Sequence, residues 1–243
     1  MKYLSFLLLM CFASVHAQDT VADDATSIDA QILSAYVDND PQQWDAVIDH
    51  LKQHATDTET QLKLGHVAYT AVGTAFGKRD MDMAAKYLEV AEEALENVLD
   101  ADDKHPSAHG LMSGIAGMGI ALDESKAMTL GMASNRHARK ALQYGEEDPV
   151  ALAMAASQQI YTPRQWGGDP DRGLELIGQS VALFEAMDSP ESDWRYYESL
   201  ILMGEAYTKV EQREAARAVY LKVLSMQPEL AYVKYYLLPS LDQ

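Results

Sequence analysis

Thiol chemistry is all but absent from this chain: Cys11 is its one cysteine, and it lies in the apolar run LSFLLLMCFASV (4–15) behind Lys2. Val15-His16-Ala17 follows with small residues at the spacing a signal peptidase reads, so residues 1–17 are expected to be a cleaved export signal. Cys11 would leave with it, which excludes disulfides, a cysteine nucleophile and thiolate metal ligands from the mature protein. Met10 stands where a lipoprotein signal needs a small residue, so lipid anchoring is not expected. Long apolar runs are missing too. The signal is too short to span a bilayer, and no later stretch approaches the roughly twenty apolar residues that a spanning helix needs. The expectation is an exported protein, periplasmic or secreted, without membrane insertion.

Basic residues are scarce: 19 Lys and Arg face 37 Asp and Glu, a net charge of −18. Nucleic-acid backbones and anionic lipid surfaces attract clustered cations, so neither is an expected partner. The acid excess reads as solubility. Strand patterning is also missing, with no alternating run of β-branched residues and no Asn-Gly hairpin turn. What runs through the chain is helical spacing. In KYLEVAEEALENVL (86–99), Leu88, Ala91, Leu95 and Val98/Leu99 share one face, with Glu92, Glu93, Glu96 and Asn97 largely outside it. The small, acidic stretch 18–26 reads as a mobile arm, and residues 27–243 read as a single all-α domain.

Punctuation divides that domain. Pro106, Pro149, Pro190 and Pro228 each precede a helical run, at spacings of 43, 41 and 38 residues. Proline suits the first helical position, where its missing N–H costs nothing. Asp40-Pro41, Asp148-Pro149, Asp169-Pro170 and Ser189-Pro190 add a capping side chain before it. A unit of about forty residues that opens this way predicts stacked helical hairpins. In YESLILMGEAYTKVEQREAARAVYLKVLSMQP (197–228), Gly204, Tyr207, Ala216, Tyr220 and Pro228 stand in register. This unit, 197–230, resembles the tetratricopeptide repeat. Its glycine and alanine let paired helices approach, its aromatics fill the space between them, and its proline opens the next unit. Leu64-Gly65 opens an earlier, poorer match. The prediction is an all-α solenoid of about five antiparallel, tetratricopeptide-like hairpins, with AYVKYYLLPSL (231–241) as a terminal capping helix.

Chemistry-bearing motifs are few. YTPRQWGGDPDRG (161–173) lies where one hairpin turns, and Thr162–Asp169 is an insertion there. Gly167 and Gly168 can end one helix and Asp169-Pro170 start the next. The glycine spacing fits no nucleotide-binding loop. Structure does not account for Arg164 and Trp166: the ring is expected to fold back onto the adjoining hairpin, or else, with Arg164, to contact a partner. His105 and His109 are four apart, but Pro106 between them works against a shared metal. His137 reads as a helix-surface residue. Ser113 and Ser134 lack a nucleophile elbow. No catalytic residue, metal or cofactor is expected, and the chain is not expected to be an enzyme. Gly110, Gly114 and Gly117 form a stripe in GLMSGIAGMGIAL (110–122), beside Met112 and Met118. Each costs about 1 kcal/mol relative to alanine in an exposed helix. Close helix packing is the first reading of the stripe, and a groove where a ligand nears the backbone is the second.

The glycine-bearing helix, ARKALQYGEEDP (138–149) and IYTPRQWGGDPDRGLELI (160–177) together resemble the periplasmic T-component proteins that accompany tripartite (TRAP) transporters, over about residues 107–186. That resemblance implies a helical-repeat scaffold that binds a periplasmic solute-binding protein, with a ligand channel. Two functions follow as expectations. One is an exported scaffold that binds a protein partner through its concave face or the 162–169 loop. The other is a small-ligand carrier whose pocket is lined by Gly114 and Met118 of the glycine-rich helix and by Tyr161 and Trp166, with Arg164 adjoining.

Overall fold

The structure is a computed structural model that describes the backbone of residues 19–242 and side chains from Ile28 onward. The signal segment 1–17 lies outside the described residues. Ten main helices follow in order: α1 (Asp19–Asp38), α2 (Pro41–His54), α3 (Thr58–Lys78), α4 (Met81–Ala101), α5 (Pro106–Leu122), α6 (Ala127–Tyr144), α7 (Pro149–Tyr161), α8 (Pro170–Glu185), α9 (Trp194–Lys209) and α10 (Arg213–Met226). A terminal helix at 231–240 contains a π-helical turn, Val233–Leu237. Among the described residues there is no strand. Since α1 starts at Asp19, most of the stretch read as an arm is the first part of that helix.

The helix starts follow the sequence punctuation. Pro41, Pro106, Pro149 and Pro170 each open a helix. Asp40 accepts from the Gln42 amide at 3.0 Å and Asp148 from the Ala151 amide at 2.8 Å, which satisfies N–H groups that the helix itself cannot pair. Ser189-Pro190 behaves differently. Ser189 makes no cap and Pro190 opens only a short 3-10 turn, so Asp193 caps α9 instead, four residues after Ser189. Pro228 lies in a turn, and the terminal helix begins at residue 231.

Consecutive helices pair as five hairpins, α1–α2 through α9–α10, and each hairpin stacks on the next. The expected all-α solenoid is present. Close approach at the seams needs small residues. Gly110 packs on Met154 and Ala151 of α7, where a Cβ would lie 3.0 Å from the Met154 Cβ. At Gly114 a Cβ would lie 2.7 Å from the Tyr69 hydroxyl oxygen. Gly117 meets nothing, so packing explains two of the three glycines in the stripe. The buried face of α4 is centred on Tyr87, Ala91, Ala94, Leu95 and Val98, with Leu88 and Leu99 only partly covered. It therefore lies slightly to one side of the face read from spacing.

The row does not stay open. Inner helices from opposite ends meet: the His66 ring of α3 lies edge-on to Trp194 of α9 at 4.5 Å, and Tyr36 of α1 lies 6.3 Å from the same indole. The hairpins coil until the first two touch the fifth.

His105 caps α5 through Nδ1 instead of facing His109. His109, buried, lies 3.0 Å from the Asp103 carbonyl through Nε2 and 3.0 Å from the Nδ1 of His137 through its own Nδ1. A carbonyl can only accept, so His109 donates from Nε2 and takes the proton of His137 on Nδ1. His137 is thus a half-buried partner of His109 and not a free surface residue. Burial, and then the neighbouring His109, Arg136 and Lys140, push the His137 pKa down to about 4. Burial lowers that of His109 as well. The unfolded chain binds these protons near pH 6.5 and the folded one only at lower pH. This contribution to stability is therefore complete above that value and is lost as pH falls toward 4. After allowance for partial exposure it is worth on the order of 1 kcal/mol. His137→Gln keeps a donor for His109 but removes a titrating group. Its melting temperature should fall less than wild type between about pH 7 and pH 4.5 in paired thermal scans.

Candidate functional site

Coiling leaves a cavity of about 660 Å³ along the inner faces of the odd-numbered helices. Its walls follow helical spacing. On α3 they include His66, Tyr69, Thr70, Gly73, Thr74 and Gly77; on α7 they are Val150, Ala153, Met154, Ser157 and Tyr161; on α9 they include Arg195, Glu198, Ile201, Leu202 and Glu205. Tyr36, Trp44 and Met118 close one side, and Leu230, Tyr232 and Tyr236 bring the terminal segment to the other. Gly73 and Gly77 face open space, so it is their missing side chains that keep this part of the cavity free.

Two carboxylates stand on the α9 wall. Glu198 accepts from Thr70 Oγ1 at 2.7 Å and lies 3.1 Å from His66 Nε2, an arrangement that ties α3 to α9. Glu205 accepts from the hydroxyls of Tyr161 and Tyr232, the latter at 3.3 Å, joining α7 and the terminal helix to α9. Burial pushes the Glu205 carboxyl above the usual carboxylate range, against the opposing pull of the two phenols and Lys209. Burial, reinforced by Glu205, raises Tyr232 to about 12. Tyr69 is 8% exposed; its hydroxyl makes no hydrogen bond among the described residues, and since no buried polar side-chain atom there is left unpaired, that oxygen keeps some accessible surface. Burial and then Glu198 raise its pKa. Tyr36 is likewise raised by burial, then by Glu198 and Glu205. The arrangement offers apolar and aromatic walls, phenol donors and two acceptor groups, which suits holding a molecule.

A more open hollow of about 760 Å³ lies at the α6–α7 turn. Two of its polar groups serve the fold: Asp148 caps α7 and accepts from Ser107 at 2.6 Å.

Of the residues singled out from sequence, Tyr161 and Met118 line the cavity. Gly114 does not, but its missing side chain admits Tyr69, which does. Arg164 and Trp166 lie outside it. They form a 3-10 turn closed by its own backbone, with the Trp166 and Gly168 amides donating to the Pro163 carbonyl at 2.8 and 3.3 Å. Gly167 adopts φ 95° and Gly168 lies against the Thr162 carbonyl with no room for a Cβ. Trp166 is 70% exposed, so the expected folding back onto the hairpin does not occur. Arg164 pairs at 3.1 Å with Asp171, both well exposed, a contact of little energetic weight. The pocket expected from the glycine-rich helix draws only Met118 from it; α3 and α9 supply more, and His66, Tyr69, Glu198 and Glu205 were not singled out. A signal was present: acids at 198 and 205 flank Ile201 and Leu202 at i, i+3, i+4, i+7 spacing, where a buried stripe would be apolar.

No family model matches the chain, and no curated protein matches it. Among solved structures it is similar to the HusA haemophore from Porphyromonas gingivalis, with a TM-score of 0.61 and 20% identity, over 76% of this chain and 93% of that one. At that identity the likeness is one of fold. Among the described residues no helix is long and apolar enough to cross a membrane.

Proposed function

We propose that the protein is an exported carrier that shelters a small, largely apolar ligand with a polar end in the cavity between α3, α7 and α9, and that it is not a catalyst. The observation that carries this reading is the cavity wall itself: 660 Å³ of space bordered by Tyr69, whose ring is buried while its hydroxyl stays accessible and makes no hydrogen bond among the described residues. A protein that needed only a packed core would fill such space, since interiors are close-packed. The hairpins are read as tetratricopeptide-like, supported by the fit of Gly204, Ala216 and Tyr220 to that pattern, the latter two fully or almost fully buried.

The similar structure is titled a haemophore, which puts tetrapyrroles first among ligands to try. Side chains of types able to ligate a haem iron line the cavity, among them His66, Tyr69, Met118 and Met154. Comparing haemin with iron-free protoporphyrin separates iron ligation from recognition of the ring. The test is titration with both, and with the neutral dye Nile red, followed by absorbance or emission. Gly73→Leu/Gly77→Leu serves as the blocked control, because both positions face open space and leucine favours helix. Saturable binding of at least one probe, lost in the double variant, is expected. Binding of none, or binding that the double variant leaves intact, overturns the carrier reading.

A second reading, a scaffold for a protein partner such as a periplasmic solute-binding protein, rests on the outward Trp166 and the neighbouring Arg164. Exposed tryptophan beside arginine is a frequent interface anchor.

A further inference from the structure

The charges around the cavity go further than its shape. Glu198 and Glu205 stand two helical turns apart on one face of α9, about 10 Å along the axis. Every oxygen of these two carboxylates already accepts one bond, yet a carboxylate oxygen has two lone pairs and can accept another. The cations near them are few. Arg195, on the cavity wall, is committed to Asp193, with contacts of 2.6, 2.9 and 3.1 Å; Lys209, one turn on from Glu205, lies over the Tyr161 ring at 5.9 Å; and Lys78 lies exposed at the rim. Burial holds Glu205 above the ordinary carboxylate range and outweighs the pull of Lys209. The aromatic faces of Tyr36, Tyr69 and Tyr232 border the same space, and rings of this kind attract cations by their quadrupole.

We infer that the cavity takes an organic cation, an apolar or aromatic body whose ammonium group is drawn to the Glu198–Glu205 face of α9 and to the phenols of Tyr36 and Tyr69. This rests on the carrier reading and fixes the charge of the ligand. An anionic group is accommodated only at the rim, near Lys78. The two carboxylates repel it further in, and the surplus of acid over base in the chain adds to that repulsion.

Three indoles of one ring system and different charge test this: tryptamine as the cation, 3-methylindole as the neutral form and indole-3-acetate as the anion. Each is titrated calorimetrically into the mature wild-type protein, Glu198→Gln and Glu205→Gln. Tryptamine should bind at least tenfold tighter than indole-3-acetate. Glu198→Gln, which keeps an acceptor for Thr70, should cost tryptamine about tenfold while leaving 3-methylindole within about twofold. The neutral ligand thus reports an intact cavity in each variant. Indole-3-acetate binding as tightly as tryptamine, or tryptamine insensitive to both substitutions, overturns the charge inference and leaves the carrier reading standing. If no indole binds, and the tetrapyrroles and Nile red also fail, both fall together.

Discussion

Gly204→Val should lower the melting temperature by about 6–12 °C, corresponding to about 3 kcal/mol in a chain of this size. A Cβ on Gly204 would overlap the Cε1 edge of the Tyr220 ring, 2.7 Å from Cζ and 2.9 Å from Cδ1, with Cε1 closer still. A rigid ring cannot yield as the end of a flexible chain would. Tyr220 is 1% exposed, between Ala216 and Val223 on α10, so it has no free volume to move into. The α9–α10 hairpin must therefore spread, and spreading disturbs both of its neighbours. It loosens the contact of α9 with α8, and it shifts Glu198 and Glu205, which sit on an adjoining face of the same helix. Thermal scans of Gly204→Ala, Gly204→Val and Gly204→Val/Tyr220→Ala give the test. The penalty should grow with side-chain size, and removing the ring should recover part of it. A valine variant that melts within 2 °C of wild type would show that the seam is not tightly packed.

The hairpins were legible in the sequence because their starts are local chemistry. An acidic or polar residue before proline writes a helix start into two neighbouring positions, and Asp40, Asp148 and Asp169 do what that pattern requires. Ser189-Pro190 carried the same mark and failed. The serine takes a left-handed backbone, φ 53°, within the turn, and Asp193, nearer the apolar run, accepts from the Arg195 amide and caps the helix instead. Hairpin seams were legible too, since Gly204 and Gly110 stand where only a small residue lets two helices touch. Trp166 was misread because an aromatic in a long insertion looks like an anchor for that insertion. The backbone of the turn closes without it, on Pro163 and Gly168, so the ring is left outside.

The cavity was legible only in fragments. Whether five hairpins make an open row or a coil depends on the small rotation between each pair, summed over the stack. No single residue encodes that sum. The contacts that result, His66 and Thr70 with Glu198, are separated by more than a hundred residues. A reading that moves along the chain weighs each of these side chains alone. Tyr161 and Met118 were found because they flank unusual local sequence, whereas Tyr69 and Glu205 sit in ordinary amphipathic helices and acquire a role only when α3, α7 and α9 face one another.

Trp44→Ala, at the other end of the stack, should be at least as damaging as the glycine change, at about 3–5 kcal/mol. Trp44 is 1% exposed on α2 and fills the space between the first hairpin and α3. Its indole N–H donates to Thr74 Oγ1 at 2.9 Å, and that hydroxyl donates to Asn39, the left-handed residue that turns α1 into α2. One side chain thus joins packing, a buried hydrogen bond and the geometry of the turn. Trp44→Phe separates them. It keeps most of the ring and loses the donor, so it should cost about 1–2 kcal/mol. Hydrogen exchange shows where the damage lies. In an open solenoid the end hairpin would fray alone, with α1 and α2 losing protection and α9 unaffected. Here Tyr36 of α1 lies against Trp194, and Asp29 pairs with Lys63 at 2.8 Å, so the first hairpin is fastened to both α3 and α9. Trp44→Ala should therefore lower amide protection in α9 as well as in α1 and α2, while α5 and α6 hold. Loss confined to α1 and α2 would mean that the two ends touch without supporting each other.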